Sequence, residues 1–202
     1  MNVQIMIAED QAMVRQALVA LLGLEPDIEV VAQAANGDEA LAMARKHQPA
    51  VAVLDIEMPG RSGIEVARQL REENFGGRVI IVTTFGRPGY LRAAMAAGAS
   101  GFLLKDSPAA QLADAIRRVA AGERVVDPAL AAAALAEGDS PLTVRETEVL
   151  AAAAGHDAIS DIADRLHLSP GTVRNHLSAA MQKLGARNRA EAVQMAQRKG
   201  WL

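Results

Sequence analysis

The chain contains no cysteine, which excludes disulfides and thiolate metal sites and fits a cytoplasmic protein. Aromatic residues are scarce, with three Phe, one Tyr and one Trp, so base stacking on single-stranded nucleic acid has no platform. No apolar run reaches the roughly 18 residues needed to span a bilayer. The N-terminal stretch Met1-Asn2-Val3-Gln4-Ile5 has no basic region and runs directly into a strand pattern, so neither a signal peptide nor membrane insertion is expected. What is present is a globular composition. The 202 residues are 50% hydrophobic with a mean hydropathy of +0.10, enough for one large or two small domains.

The net charge of −3 conceals an asymmetry. Residues 140–202 carry eight Lys or Arg against six acids, leaving −5 for residues 1–139. From Ser169 onward the only acid is Glu191, against six bases. A basic C-terminal surface is compatible with nucleic-acid binding, although a solvated helix face has the same composition.

The chain is organised around Val51–Gly63, VAVLDIEMPGRSG. Val51–Leu54 reads as a buried strand, Asp55 follows its last apolar residue, Met58-Pro59-Gly60 turns the chain, and a helix begins at Gly63. Similar units flank it. Val3–Ile7 is a strand ending in Glu9-Asp10, followed by a helix with Val14, Leu18, Leu21 and Leu22 as its apolar stripe. Ile28–Ala32 is a strand, and Asn36-Gly37-Asp38 starts a second helix. Val79–Thr84 and Gly101–Lys105 are the fourth and fifth strands, each followed by a helix, Tyr90–Ala97 and one carrying Leu112, Ala115, Ile116 and Val119. Five alternating strand–helix pairs predict a parallel sheet covered on both faces. Right-handed crossovers then bring all the strands' carboxyl ends to one rim. Glu9, Asp10, Asp55, Thr83 and Lys105 are predicted to meet there.

Taken singly, each has an ordinary reading: Asp10 a cap, Thr83 a strand former, Lys105 a surface lysine. Together they form an oxygen-only set that selects Mg²⁺, with an aspartate able to accept a phosphoryl group and a lysine to offset its charge.

Asp127-Pro128 caps an alanine-rich helix over 129–137 ending at Gly138, inside a linker. A second, helical domain begins at Leu142-Thr143, where Thr143 and Glu146 form a capping box. Ile159, Ile162, Ala163 and Leu166 mark its second helix. Ser169-Pro170 opens a third, with Val173, Leu177, Ala180 and Leu184 buried and Arg174, Asn175 and Ser178 facing outward. Asn188 caps a fourth. This is the layout of a helix-turn-helix reader of DNA.

IAED at 7–10, VLDIEMPGRSG at 53–63, VTT at 82–84 and GFLLKDS at 101–107 resemble the receiver domain of bacterial two-component response regulators. Thr83 and Lys105 lie 28 and 50 residues beyond Asp55, the spacing of that family. LTVRETEVL at 142–150, DIADRLHLSPGTVRNHL at 161–177 and KLGARNRAEAV at 183–193 resemble the LuxR-type helix-turn-helix. The whole chain thereby resembles the NarL/FixJ family of transcription factors. TTFGRPGY at 83–90 with RNHLSAA at 174–180 is similar to its DesR-like subgroup, whose partner kinase senses membrane fluidity.

The resemblance implies an α/β, flavodoxin-like (βα)5 receiver over 1–121, a linker with a short helix over 122–140, and an all-α LuxR-type helix-turn-helix domain over 141–202. It implies that a sensor histidine kinase phosphorylates Asp55. Mg²⁺ is held by Glu9, Asp10, Asp55 and the backbone carbonyl of Glu57, while Thr83 and Phe102 act as the switch and Lys105 as the conserved-type cation. The only reactions implied are the receiver's own phosphoryl transfer and dephosphorylation. In the second domain Arg174, Asn175 and Ser178 match base-facing positions, and Thr172, Lys183 and Arg187 match phosphate contacts. A homodimer formed on phosphorylation would bind double-stranded promoter DNA, with RNA polymerase as a further partner. Three positions depart from the common pattern: Asp106 stands where many receivers have Pro, Gly155 comes one place early in its turn, and Ser178 is smaller than the lysine of some relatives.

Two other readings of the residues stay open. One keeps DNA binding but makes it independent of phosphorylation. The other treats the α/β domain as a flavodoxin-like or hydrolase enzyme, although Ala8-Glu9-Asp10-Gln11 offers no glycine-rich phosphate loop.

Overall fold

The computed structural model describes residues 2–84, 86, 88–136, 140–155 and 158–202. The chain divides into two compact units, the first built on residues 1–86 and 91–131 and the second on 87–90 and 132–202. Among the described residues no helix is long and apolar enough to cross a membrane.

In the first unit, strands β1 (Val3–Ala8), β2 (Ile28–Ala34), β3 (Val51–Asp55), β4 (Arg78–Thr83), β5 (Gly101–Leu104) and β6 (Val125–Val126) form one sheet in the order β2-β1-β3-β4-β5-β6. Every pairing is parallel. Such a sheet must be buried on both faces, and its strands are accordingly continuous apolar runs. Alternate residues Ile5, Ile7, Val51, Val53, Ile80, Val82 and Leu103 pack on one face with Leu112, Ile116 and Val119 of α5 (Ala109–Ala120) and Leu22 of α1 (Ala12–Leu22). The intervening residues Met6, Ala8, Ala52, Leu54, Ile81 and Phe102 point to the opposite face and are buried too. Helices α2 (Gly37–His47), α3 (Gly63–Glu72) and α4 (Pro88–Ala96) complete the alternation.

Two differences from the sequence reading stand out. The sheet has a sixth strand, because Val125 and Val126 pair with Gly101 and Phe102; two residues are too few to carry a period. Leu21, expected in the buried stripe of α1, is exposed instead, together with Met13 at 84% and Leu24 at 79%. Only Leu22 of that helix is fully buried.

Local chemistry sets the elements that approach the rim. Asn36 caps α2 by accepting from the Glu39 N–H (2.9 Å). Ser62 and Glu65 form a reciprocal capping box on α3. Gly60, at φ +74°, adopts the left-handed turn geometry that glycine tolerates. Gly63 is constrained by proximity: a Cβ there would lie 2.0 Å from the carbonyl oxygen of Asp55. The glycine therefore lets the start of α3 lie directly on the strand end that carries Asp55.

Beyond β6, α6 (Pro128–Ala136) starts as expected, with Asp127 Oδ1 accepting from the N–H groups of Ala129 (2.8 Å) and Leu130 (3.0 Å). Its expected last residue Glu137 and terminator Gly138 lie outside the described residues.

The second unit contains α7 (Val144–Ala152), a 3₁₀ turn at Ala153–Gly155, α8 (Ile159–Leu166), α9 (Pro170–Leu184) and α10 (Arg189–Lys199). Val149, Leu150, Ile162, Val173, Leu177, Ala180, Leu184, Ala192, Val193 and Ala196 form its core, with Trp201 packed against it. The α8–α9 turn is three residues long. His167 takes a left-handed conformation (φ 53°), the Leu168 N–H donates to the Ala163 carbonyl (2.9 Å), and Ser169 caps α9 through the Thr172 N–H (3.1 Å). Of the expected α7–α8 turn, His156 and Asp157 lie outside the described residues.

Candidate functional site

The sheet order reverses between β1 and β3: from β1 the chain moves first to β2 on one side and then to β3 on the other. Crevices at such a switch point, beyond the strands' carboxyl ends, are where open α/β sheets bind ligands. Glu9 and Asp10 follow β1, Asp55 ends β3, Thr83 ends β4 and Lys105 follows β5. Four adjacent strands thus each deliver one part of a single site.

The geometry is compact. Lys105 Nζ lies 2.6 Å from Glu9 Oε2 and 3.0 Å from Asp55 Oδ2. Glu9 is 1% exposed, Asp55 5% and the Lys105 side chain 11%. Charges this dry persist only when paired. Burial pushes the Glu9 carboxyl above the ordinary glutamate range; the Lys105 hydrogen bond opposes that shift and the Asp55 charge reinforces it. Burial would lower the Lys105 ammonium, but hydrogen bonds to Glu9 and Asp55 outweigh it and hold it above the usual lysine value. Thr83 is 1% exposed, and its carbonyl accepts from the Lys105 N–H (2.8 Å), tying the ends of β4 and β5 together. Phe102 is fully buried in β5, three residues before Lys105.

Glu9, Asp10 and Asp55 each present a carboxylate oxygen within 4.8 Å of the others. Asp10 Oδ1 is buried and has no hydrogen-bond partner among the described residues. An orphaned buried oxygen facing two further carboxylates fits a hard, oxygen-seeking divalent cation such as Mg²⁺. The Glu57 side chain is exposed and outside this group.

Arg15 escaped the sequence reading. Its Nη1 donates to the backbone carbonyls of Glu9 and Asp10, bracing the acidic loop from α1. The available signal was its isolation, as it is the only charged residue of α1.

In the second unit Arg174, Asn175 and Ser178 are exposed on α9, opposite its buried stripe. The Thr172 hydroxyl lies 2.8 Å from the Ser169 hydroxyl. Arg187 is 88% exposed and pairs with Glu191 of α10 (3.2 Å), an exposed pair that a stronger anion can displace. Lys183, expected to contact phosphate, has a carboxylate partner within the unit. Its ammonium lies 2.7 Å from Glu146 Oε2, a carboxylate buried between α7 and α9.

Comparison with known proteins matches residues 5–117 to the response regulator receiver domain and residues 140–196 to the bacterial regulatory proteins of the luxR family. The transcriptional regulatory protein YvfU of Bacillus subtilis (strain 168) is 49% identical over 200 residues, covering 99% of this chain and 100% of that protein. The transcriptional regulatory protein DesR of the same organism is 46% identical, covering 98% of each chain. Among solved structures, the response regulator ChrA of a heme-sensing two-component system is 33% identical, with a TM-score of 0.60 and coverage of 100% of this chain and 99% of that one.

Proposed function

Since the chain belongs to the response regulators that join a receiver domain to a LuxR-type transcriptional regulatory domain, we propose that Asp55 is its phosphoacceptor and that a sensor histidine kinase is the donor. The observation that carries this reading is Lys105 bridging Glu9 and Asp55 beside the orphaned Asp10 oxygen.

In the transfer, Asp55 Oδ attacks phosphorus, the P–N bond to the kinase histidine breaks, and an acyl phosphate forms. Lys105 exchanges its carboxylate partners for a phosphoryl oxygen, and the Thr83 hydroxyl donates to another. Glu9, Asp10, Asp55 and the Glu57 carbonyl would hold Mg²⁺, which when bound offsets the negative charge gathered at the phosphoryl group. Capture of the phosphoryl oxygen by Thr83 favours one rotamer of Phe102 and one state of the surface beyond it. Hydrolysis of the acyl phosphate resets the site.

The output is a cytoplasmic homodimer that binds promoter DNA, each protomer placing Arg174, Asn175 and Ser178 at base edges while Thr172 and Arg187 hold phosphates. The receiver occupies 1–121, the linker 122–140 and the DNA-binding domain 141–202. The exposed apolar residues Met13, Leu21 and Leu24 on and just beyond α1 support that helix as the dimer surface.

Acetyl phosphate with Mg²⁺ should add one phosphoryl group to the wild type by intact mass, and beryllofluoride should shift its size towards a dimer. Asp55→Asn should do neither while keeping its circular dichroism spectrum. A wild type that takes up no phosphate and ignores beryllofluoride would overturn the switch and leave phosphorylation-independent DNA binding.

A further inference from the structure

Helices α7 and α9 of the second unit are joined by one shared oxygen. In an ordinary capping box the glutamate at the third helical position is solvent-exposed and serves only the helix start. Here Glu146 is 6% exposed. Its Oε2 accepts from the Thr143 N–H (2.7 Å) and also from Lys183 Nζ (2.7 Å), 37 residues away on the last turn of α9. The Thr143 hydroxyl completes the box by accepting from the Glu146 N–H (3.3 Å).

Two facts separate Lys183 from DNA contact. Its ammonium is already engaged by a carboxylate that is almost dry, and withdrawing it would leave that charge poorly compensated. It also lies off the reading face. At 3.6 residues per turn, Lys183 sits about 130° round α9 from the mean direction of Arg174, Asn175 and Ser178. It is instead beside the buried stripe of Val173, Leu177, Ala180 and Leu184.

That stripe holds α9 against α7 through contacts without direction, which resist separation better than sliding. A charged hydrogen bond is directional and short. It ties the end of α9 to the start of α7 and so sets the register of one helix along the other.

We infer that Lys183 is a positioning residue: through Glu146 it fixes the register of α9 on α7 and thereby the aim of Arg174, Asn175 and Ser178, and it does not bind phosphate. The inference rests on α9 being the DNA-facing helix.

The test uses the full chain and two duplex probes, one that the wild type enriches from a randomised 30-base-pair pool and one of scrambled sequence. Lys183→Met should weaken binding to the enriched duplex at least tenfold while leaving the scrambled duplex and the salt dependence unchanged. Glu146→Gln should do the same, the double variant should be no worse than either single one, and Lys183→Arg should restore most of the affinity. Trp201, the sole tryptophan and packed on the second unit's core, reports folding in each variant.

A phosphate contact predicts the reverse pattern. Lys183→Met would then weaken both duplexes alike and lower the slope of log affinity against log salt by about one, and Glu146→Gln would leave affinity unchanged or raise it. That result overturns the inference alone. If Lys183→Met fails to fold, Glu146→Gln decides by the sign of its effect. A wild type that enriches no duplex overturns the DNA-reading role of α9 and this inference with it.

Discussion

With methionine at position 105, Glu9 and Asp55 would face each other across a dry space with no cation between them. Lys105 is the main group now opposing the upward shift that burial imposes on Glu9, with the Gln11 N–H adding to it. Its loss should send the Glu9 carboxyl higher still, so the native state would bind a proton there more tightly than the unfolded chain does. Stability then falls as pH rises from the ordinary glutamate value, 4.5, through the folded one. We therefore expect Lys105→Met, freed of divalent metal, to lose about 3 kcal/mol at alkaline pH and distinctly less in mild acid. Urea unfolding at about pH 5 and about pH 8 checks this; an equal loss at both would mean that Glu9 does not carry the effect. The rim residues were legible one by one because each stands where an apolar run stops. Their mutual distances were not, since they depend on side-chain reach across neighbouring strands. Arg15 was missed for a related reason: its isolation in α1 was visible, but nothing in side-chain identity says that it reaches the carbonyl groups of Glu9 and Asp10.

Elements were legible to the degree that they repeat. Helices α2, α7, α9 and α10 each announced their start with Asn or a hydroxyl residue as cap, and those caps form; the Ser62 cap of α3 was not read from the sequence. Strand β6 has two residues and no period, so nothing in the sequence distinguished it from linker. The α1 stripe misled because its residues are apolar nearly all round, and composition does not say which side meets the sheet. At Gly63 the constraint comes from packing alone. A Cβ there would meet the Asp55 carbonyl oxygen at 2.0 Å, and the atom in its way is backbone, not the end of a flexible side chain. Gly63→Ala should cost about 3 kcal/mol, the upper end for overpacking, and should slow phosphorylation by displacing Asp55. Denaturant unfolding and acetyl phosphate labelling together test it. A variant labelled at the wild-type rate would show that α3 can retreat without moving the strand end.

For the whole molecule, the exposed apolar residues at the start of the chain matter most. A monomer showing Met13 at 84%, Leu24 at 79% and Leu21 at 45% exposure carries apolar area that a second copy can cover. The double variant Met13→Asp/Leu21→Asp should stay monomeric by light scattering in beryllofluoride while still accepting phosphate. Dimerisation at the wild-type concentration would place the interface elsewhere. The rim has one more consequence, which concerns time. Its parts are drawn from four strands, the last of them ending at Leu104 with Lys105 just beyond. During synthesis the amino end emerges first, and parallel pairings between distant segments form late. A nascent chain that has exposed Asp55 but not β5 owns an aspartate without its counter-charge. If Asp55 is the phosphoacceptor proposed above, a chain cut before β5 should take up no phosphoryl group from a small donor, and a half-made chain should stay inert.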